Sequence, residues 1–386
     1  MDFALTKEQE MWREAVRAFA EREVAPAVAA YDRDERYPVE VVKRMGLLGM
    51  LGGVIPQEYG GAGIDHVTLA VGIETMSRYC IHMGSVMGRP SGLVGSALLR
   101  FGSEEQKRKY LVPVARGMSF GGTAVTEPRS GTDVAGTQTR AIRRSDHYLL
   151  NGTKTWISGV GVADWFLTFA TLDPALGPKG LCAFLVEVGS PGFSLHPLRD
   201  KVGFRPAAVG ELVFEDCVVP RENCVGGEGE GLHVALSAVE NGRLSVAARA
   251  VGLTQACLDE SVRYATERVV GTTPIGRFQL VQAKIADMAV GLDTCRYLTY
   301  RLAWRRDQGV ERARAEAAMA KLYATDVAMR SAVDAMQIFG AYGCSSEYPV
   351  GRYFRDAKFL QIVEGVNDIQ RVLVAEYALG YRRDPQ

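Results

Sequence analysis

Apolar residues recur at helical intervals near the start of the chain. Trp12, Val16, Phe19 and Val24 fall on one face, the spacing of an amphipathic helix. Thr6 followed by Gln9 is a capping-box pattern at its head, and Glu8 and Glu10 suit the positive end of a helix dipole. Pro56 and Gly60-Gly61-Ala62-Gly63 interrupt the pattern before a second helical stretch, about 65–110, which ends in the charged run Glu104 to Lys109. Residues 1–122 are thus predicted to form a helical domain. Over 123–230 the periodicity shortens. Seven of the 15 prolines lie there, against three in the longer 231–386 stretch, which disfavours long helices. The runs Trp165–Ala170, Leu181–Val188 and Glu211–Val218 are rich in β-favouring residues and bounded by turn residues, the reading of a small antiparallel β-domain. Helical spacing returns at 232–268, 279–307, 311–340 and 350–380, with breaks at Gly271–Pro274, Gln308-Gly309 and Gly343–Pro349. Four long helices with short connections predict a bundle over 231–386. The fold class is α+β, mainly α, with 386 residues enough for two or three units sharing one interior.

Charge changes this picture little. Lys+Arg 45 balances Asp+Glu 45, and the last third holds 20 basic against 17 acidic residues, so no field draws in nucleic acid or an anionic membrane. The seven cysteines form no CxxC pair and read as reduced thiols, pointing to the cytoplasm. The five histidines form no HxxxH or HExxH pair, so no metal is expected. The chain opens on acidic Asp2 with no basic region leading into an apolar run, and no apolar stretch is long enough to span a membrane.

Three segments carry candidate chemistry. Glu364 stands in the apolar run Phe359–Val366, followed by Gly365 and a helix start where Asn367 and Gln370 suit a cap pair. Apolar surroundings raise a carboxylate pKa, the condition for a general base near neutrality. Glu364 equally reads as a helix cap or as the partner of a nearby arginine. The stretch 124–133 supplies hydroxyls and loop amides, and 151–159 joins an Asn-Gly turn to Trp156 and Ser158. Together they suit a planar, hydrogen-bonding cofactor; taken singly, each reads as turn chemistry. The cluster Gly226-Gly227-Glu228-Gly229-Glu230-Gly231 closes the β-region and opens a helix, and its glutamates repel phosphate, so it reads as an interdomain turn.

Read together, these segments resemble the acyl-CoA dehydrogenase family of FAD flavoproteins along essentially the whole chain. The resemblance rests on Thr126 to Asp133, Asn151 to Gly159, Asp200-Lys201-Val202-Gly203-Phe204-Arg205, Phe214 to Pro220 and Gly242-Arg243. It is completed by Glu347 to Val350, Arg355 to Lys358, and Glu364-Gly365 followed by Asn367 to Arg371.

The resemblance implies FAD-dependent α,β-dehydrogenation of an acyl-CoA or acyl carrier protein thioester, with Glu364 as the base. It places Thr123, Val125, Thr126, Thr132, Trp156 and Ser158 at the flavin and pyrophosphate, with Val366 and Asp368 beyond the base. It places Thr132, Glu240 and Arg243 against substrate, and Arg268, Gln279, Gln337 and Gly340 at the FAD adenylate of a neighbouring subunit. A homotetramer or homodimer and an electron-transferring flavoprotein partner follow from it. It also implies a backbone amide within 364–366 as a donor to the thioester carbonyl. Departures occur at Val366, where the family has Thr, at Gly271-Thr272, usually Phe-Gly, and at Gly340-Ala341, usually Gly-Gly. Gly242 leaves no base where the isovaleryl-type branch carries one. Longer oxidase relatives and relatives with an Asp base fit less well than a dehydrogenase. A catalytically silent thioester-binding member and a nucleic-acid-binding member are the contrasting readings. Arg89 falls where relatives line the acyl pocket; it reads either as a receptor for a carboxylated acyl group or as a solvent-facing residue beside the Pro90 turn.

Overall fold

The computed structural model describes residues 3–310 and 313–383; Asp2 and the start of the helical block at 311 lie outside them. Helices α1 (Lys7–Phe19), α2 (Val28–Arg33), α3 (Val39–Leu47), α4 (His66–Tyr79) and α5 (Ile81–Arg89) open the chain. Short helices α6 (Gly95–Phe101), α7 (Glu104–Gln106) and α8 (Val112–Ala115) follow. The capping box at α1 forms as expected: Gln9 N donates to Thr6 Oγ1 at 3.2 Å and Thr6 N to Gln9 Oε1 at 3.0 Å.

The middle region is one sheet of β1 (Gly121–Ala124), β2 (Arg140–Arg143), β3 (His147–Ser158), β4 (Trp165–Thr171), β5 (Leu181–Glu187), β6 (Phe193–Pro197), β7 (Val209–Pro220) and β8 (Cys224–Val225). Its order is β6-β7-β3-β2-β4-β5-β8, with β1 beside β4. Most pairs are antiparallel, but β1 and β2 each pair with β4 in parallel. All seven residues of β4 are buried, and so are the first six of β5, so the apolar runs of these two strands hide the period of two. Its Trp165, Leu167 and Phe169 face the N-terminal helices, whereas Phe166 and Ala170 face Phe184 and Phe214.

The last third holds α9 (Gly231–Glu267), the hairpin β9 (Val269–Val270) and β10 (Thr273–Pro274), then α10 (Gln279–Asp307), α11 (Arg314–Phe339), α12 (Val350–Ile362) and α13 (Asn367–Ala378). The 350–380 block is therefore two helices broken at 363–366. Both packed faces of α9 are apolar, and one buried cluster runs from Val16, Ile73 and Met87 through Val246 and Val251 to Leu302, Ala324 and Leu360. The N-terminal and C-terminal helices thus share a core built on α9.

The loop 200–206 pegs the sheet to the bundle. Asp200 and Phe204 adopt left-handed backbone conformations, with φ of 58° and 55°. Phe204 N donates to Asp356 Oδ1 at 2.7 Å, and the Phe204 ring stacks on Phe359 of α12 at 4.6 Å. Burial pushes the Asp356 pKa up to about 6. Among the described residues no helix is long and apolar enough to cross a membrane, and no His, Cys, Asp and Glu cluster could hold a metal.

Candidate active site

Glu364 occupies the break between α12 and α13. Its φ is 55° and that of Gly365 is 89°. A left-handed non-glycine residue is strained by about 1–3 kcal/mol, so the surroundings must hold it. The clamp is the buried ammonium of Lys321 on α11. Its Nζ donates to Gln361 O at 3.0 Å, Gly365 O at 2.8 Å and Asn367 Oδ1 at 2.7 Å. Gln370 Nε2 adds a bond to Gly365 O at 3.1 Å, and Arg243 Nε reaches Glu364 O at 3.4 Å. Burial, with Arg243 nearby, lowers the Lys321 pKa to about 7.

The expected cap pair is corrected here. Val366 is the N-cap of α13 and no side chain caps it. Asn367 turns back to α11, its Nδ2 donating to Asp326 Oδ1 at 2.7 Å, because buried Lys321 and Thr325 need its carbonyl oxygen as acceptor.

The Glu364 carboxylate lies over Gly242 of α9. A methyl group at 242 would sit 2.7 Å from Oε2, 2.8 Å from Cδ and 3.2 Å from Leu93 Cδ2. Part of the residue reaches solvent, but protein surrounds the carboxylate, and burial raises its pKa; Arg249, Arg243, Lys321 and Arg89 offset part of that rise. Among the described residues Glu364 forms no ion pair within 4.0 Å and caps no helix. Both alternative roles read from the sequence are therefore absent. What remains is a carboxylate poised to take a proton. No acceptor among the described residues takes a hydrogen bond from the amides of Glu364, Gly365 or Val366, which leaves them available to a ligand carbonyl.

The facing wall comes from the sheet. Val125 and Thr126 follow β1 directly, and Thr155 N ties the loop to β3 by donating to Thr126 O at 2.9 Å. Beneath it, Glu127 accepts from Gln138 N at 2.7 Å, Thr139 Oγ1 at 2.6 Å and Lys154 Nζ at 2.8 Å. Burial works against the Glu127 charge, but Lys154 and these donors outweigh it and keep the pKa low; burial brings Lys154 to about 8.

Trp156 sits where the β3–β7 register slips, between Lys154 and Ile157. Its φ is 59° and its residue is 56% exposed. Ser158 ends β3 half-buried opposite Val209, while Thr132 lies in an exposed turn. Thr123 Oγ1 is buried without a partner among the described residues. A large indole displayed by a strained backbone, hydroxyls beside it and an orphaned buried donor fit the planar, polar face of FAD.

Other expected site residues are placed elsewhere. Asp368 lies on the first turn of α13, exposed and paired with Arg371 at 3.4 Å, turned away from the carboxylate. The Glu240 carboxylate meets Arg314, and its carbonyl accepts from Arg306 Nη2 at 2.6 Å. Arg268 ends α9, Gln279 opens α10, and Gln337 and Gly340 close α11, all exposed. The aromatic cluster of Tyr264, Phe339, Tyr342 and Tyr348 brings the ends of α9 and α11 together, with Tyr264 stacked on Phe339 at 4.0 Å. Gly242 and Arg268 are 26 residues apart on α9, about 39 Å along its axis.

Lys321, Arg249, Leu93 and the Glu127–Lys154 pair were not singled out from the sequence. The available signal was a lone charge within a small-residue helical face, as in Ala317-Ala318 to Ala324 around Lys321 and Val246 to Val251 around Arg249.

Family comparison agrees with this geometry. The acyl-CoA dehydrogenase N-terminal domain matches residues 6–118, the middle domain 122–217 and the C-terminal domain 229–379. The chain belongs to the acyl-CoA dehydrogenase family, and with it to the FAD-dependent flavin oxidoreductases. A short-chain specific acyl-CoA dehydrogenase of Clostridium acetobutylicum is 42% identical over 375 residues, 97% of this chain and 99% of that one. The butyryl-CoA dehydrogenase structure from Megasphaera elsdenii has a TM-score of 0.94 and 37% identity, covering 98% of this chain and 100% of that one. A chain in a structure described as the electron transferring flavoprotein of Acidaminococcus fermentans has a TM-score of 0.95 and 39% identity, covering all of both.

Proposed function

We propose that the protein oxidises an acyl thioester to the trans-2-enoyl thioester, with Glu364 removing the α-proton. The observation that carries this is the Glu364 carboxylate, held in a left-handed turn over Gly242 without an ion pair. The open amides of 364–366 supply donors for the thioester carbonyl, whose oxygen gains charge as the proton leaves. Arg243 steadies the turn through the Glu364 carbonyl, and with Thr132 it would meet the tail of the thioester. Thr123, Val125, Thr126, Trp156, Ser158 and Val366 would hold the flavin end of FAD. When bound, FAD supplies the acceptor for the β-hydride.

Arg268, Gln279, Gln337 and Gly340 gather at the end of the bundle, about 39 Å along α9 from Gly242 beneath Glu364. A second copy brings the two sets together, so the working form is a homodimer or homotetramer. The apolar end of the bundle supports that reading: Val269, Val270, Phe278, Leu280 and Tyr342 are all exposed around these four residues. An electron-transferring flavoprotein is the proposed acceptor, supported by the Acidaminococcus neighbour.

Anaerobic titration of the purified yellow protein with acyl-CoA thioesters is expected to bleach the flavin with appearance of the enoyl product. Yellow colour unchanged by every acyl-CoA tested would overturn the proposed reaction. Light scattering is expected to give a dimer or tetramer, and Leu280→Glu, which puts a charge into the apolar end, is expected to lower both the mass and the FAD content. A monomeric wild type that retains FAD would sink the intersubunit part.

A further inference from the structure

Two arginines near Glu364, Arg249 buried and Arg89 half-buried, have no ion-pair partner among the described residues. Arg249 lies seven residues beyond Gly242 on α9, hence on the same face and about 10 Å further along the axis. It is 5% exposed. Its Nε donates only to Ser245 O, at 3.4 Å, and its guanidinium lies over the Phe204 ring at 5.6 Å. Arg89 ends α5 and is half-buried; its Nη1 lies 3.9 Å from where a Cβ at Gly159 would stand, so the guanidinium reaches toward the sheet. Gly88 packs on Ser245, one turn of α9 before Arg249, and the Arg89 charge acts on Arg249 from there.

Neither arginine forms an ion pair among the described residues. The other charges facing them are accounted for. Lys201 is paired with Glu35 at 3.4 Å, Asp356 accepts from Phe204 N, and His82 is buried, its charged form disfavoured first by burial and then by Arg89 and Arg249. Among the described residues Glu364 is the carboxylate whose field reaches both, and it loses that charge once it takes a proton. A buried guanidinium without a carboxylate, as at Arg249, is costly, and the half-buried Arg89 nearby adds like-charge repulsion to it.

Resting on the proposed dehydrogenation, we propose that Arg89 and Arg249 receive a carboxylate at the far end of a short acyl chain, so that the substrate is a dicarboxylic acyl thioester. The thioester and its α-carbon lie at Gly242 and Glu364, and the distal carboxylate lies further along α9 between the two guanidinium groups. Arg suits this task because its planar fork donates to both carboxylate oxygens at once. The reaction balances as before: one proton passes from the α-carbon to Glu364, and one hydride passes from the β-carbon to the oxidised flavin. The distal carboxylate remains ionised and supplies the charge that Glu364 loses.

Binding and turnover test this separately. The Glu364→Gln holoenzyme is titrated calorimetrically with glutaryl-pantetheine and with butyryl-pantetheine. The carboxylated ligand is expected to bind about 10²-fold more tightly, and Arg249→Gln or Arg89→Met, each added to that variant, is expected to reduce the ratio to near one. In the enzyme with Glu364 intact, flavin reduction by glutaryl-CoA and succinyl-CoA is expected to show the higher kcat/KM relative to butyryl-CoA, with the same collapse in either arginine variant. Equal or tighter binding of butyryl-pantetheine, or a ratio unmoved by both substitutions, overturns the proposal even if butyryl-CoA bleaches the flavin. Failure of every thioester to bleach it overturns the dehydrogenation and leaves the binding ratio to decide the carboxylate site.

Discussion

Replacing Glu364 by Gln is expected to lower the rate of flavin reduction by about 10²–10⁴-fold while the fold and bound FAD persist. The amide is nearly isosteric and Glu364 takes part in no ion pair among the described residues, so the substitution strands no partner. The clamp on the turn also survives, because Lys321, Gln370 and Arg243 all bind main-chain oxygens or Asn367. What disappears is the carboxylate over Gly242 that can accept a proton.

The pH dependence follows from the raised pKa. The base works only when ionised, so wild-type reduction is expected to rise with pH through a value above the ordinary carboxylate pKa, about 4.3, and the residual rate of the Gln variant to lack that limb. Stability moves in the opposite direction. The folded protein holds this proton more tightly than the unfolded chain does, so the stabilising contribution is complete at low pH and is lost as pH rises through the folded value. The thermal stability of the Gln variant relative to wild type is therefore expected to improve toward neutral pH. Stopped-flow reduction that is equally fast in both proteins would remove Glu364 from the chemistry.

Gly242→Ala is expected to separate activity from stability. The added methyl would stand 2.7 Å from Glu364 Oε2 and 2.8 Å from Cδ, distances the carboxylate can relieve only by swinging away. Misplacement of a catalytic group by about 1 Å suffices for a loss near 10²-fold. Position 242 lies inside α9, where alanine is favoured over glycine by about 0.5–1 kcal/mol, so the melting temperature is not expected to fall much. Slow flavin reduction at near-wild-type stability is the expected signature. A variant that reduces flavin at the wild-type rate would show that the carboxylate is not held over α9 during the reaction.

The sequence by itself determined the helix–sheet–helix order, because local periodicity and proline placement act over a few residues and do not depend on distant partners. It also marked Glu364 as unusual, a carboxylate inside an apolar run before glycine, and it set a glycine at 242. It did not determine what Glu364 does: a cap, an ion pair and a base all read the same in one dimension. The tertiary structure decided among them by bringing Gly242 of α9 under the carboxylate and Lys321 of α11 behind the turn, over 121 and 43 positions of intervening chain. Asn367 shows the same limit in reverse. Its sequence position suits a helix cap, but the buried ammonium of Lys321 and the Thr325 hydroxyl claim its side chain, since an unmet buried donor outweighs a cap bond that solvent can replace. Arg249 was silent in the sequence because a single arginine among alanines and valines reads as a snorkelling surface residue until the packing of Phe204 and α5 closes over it. Local patterns settle which elements form; long-range packing alone settles which charges lose their water, and that loss is what turns a side chain into a site.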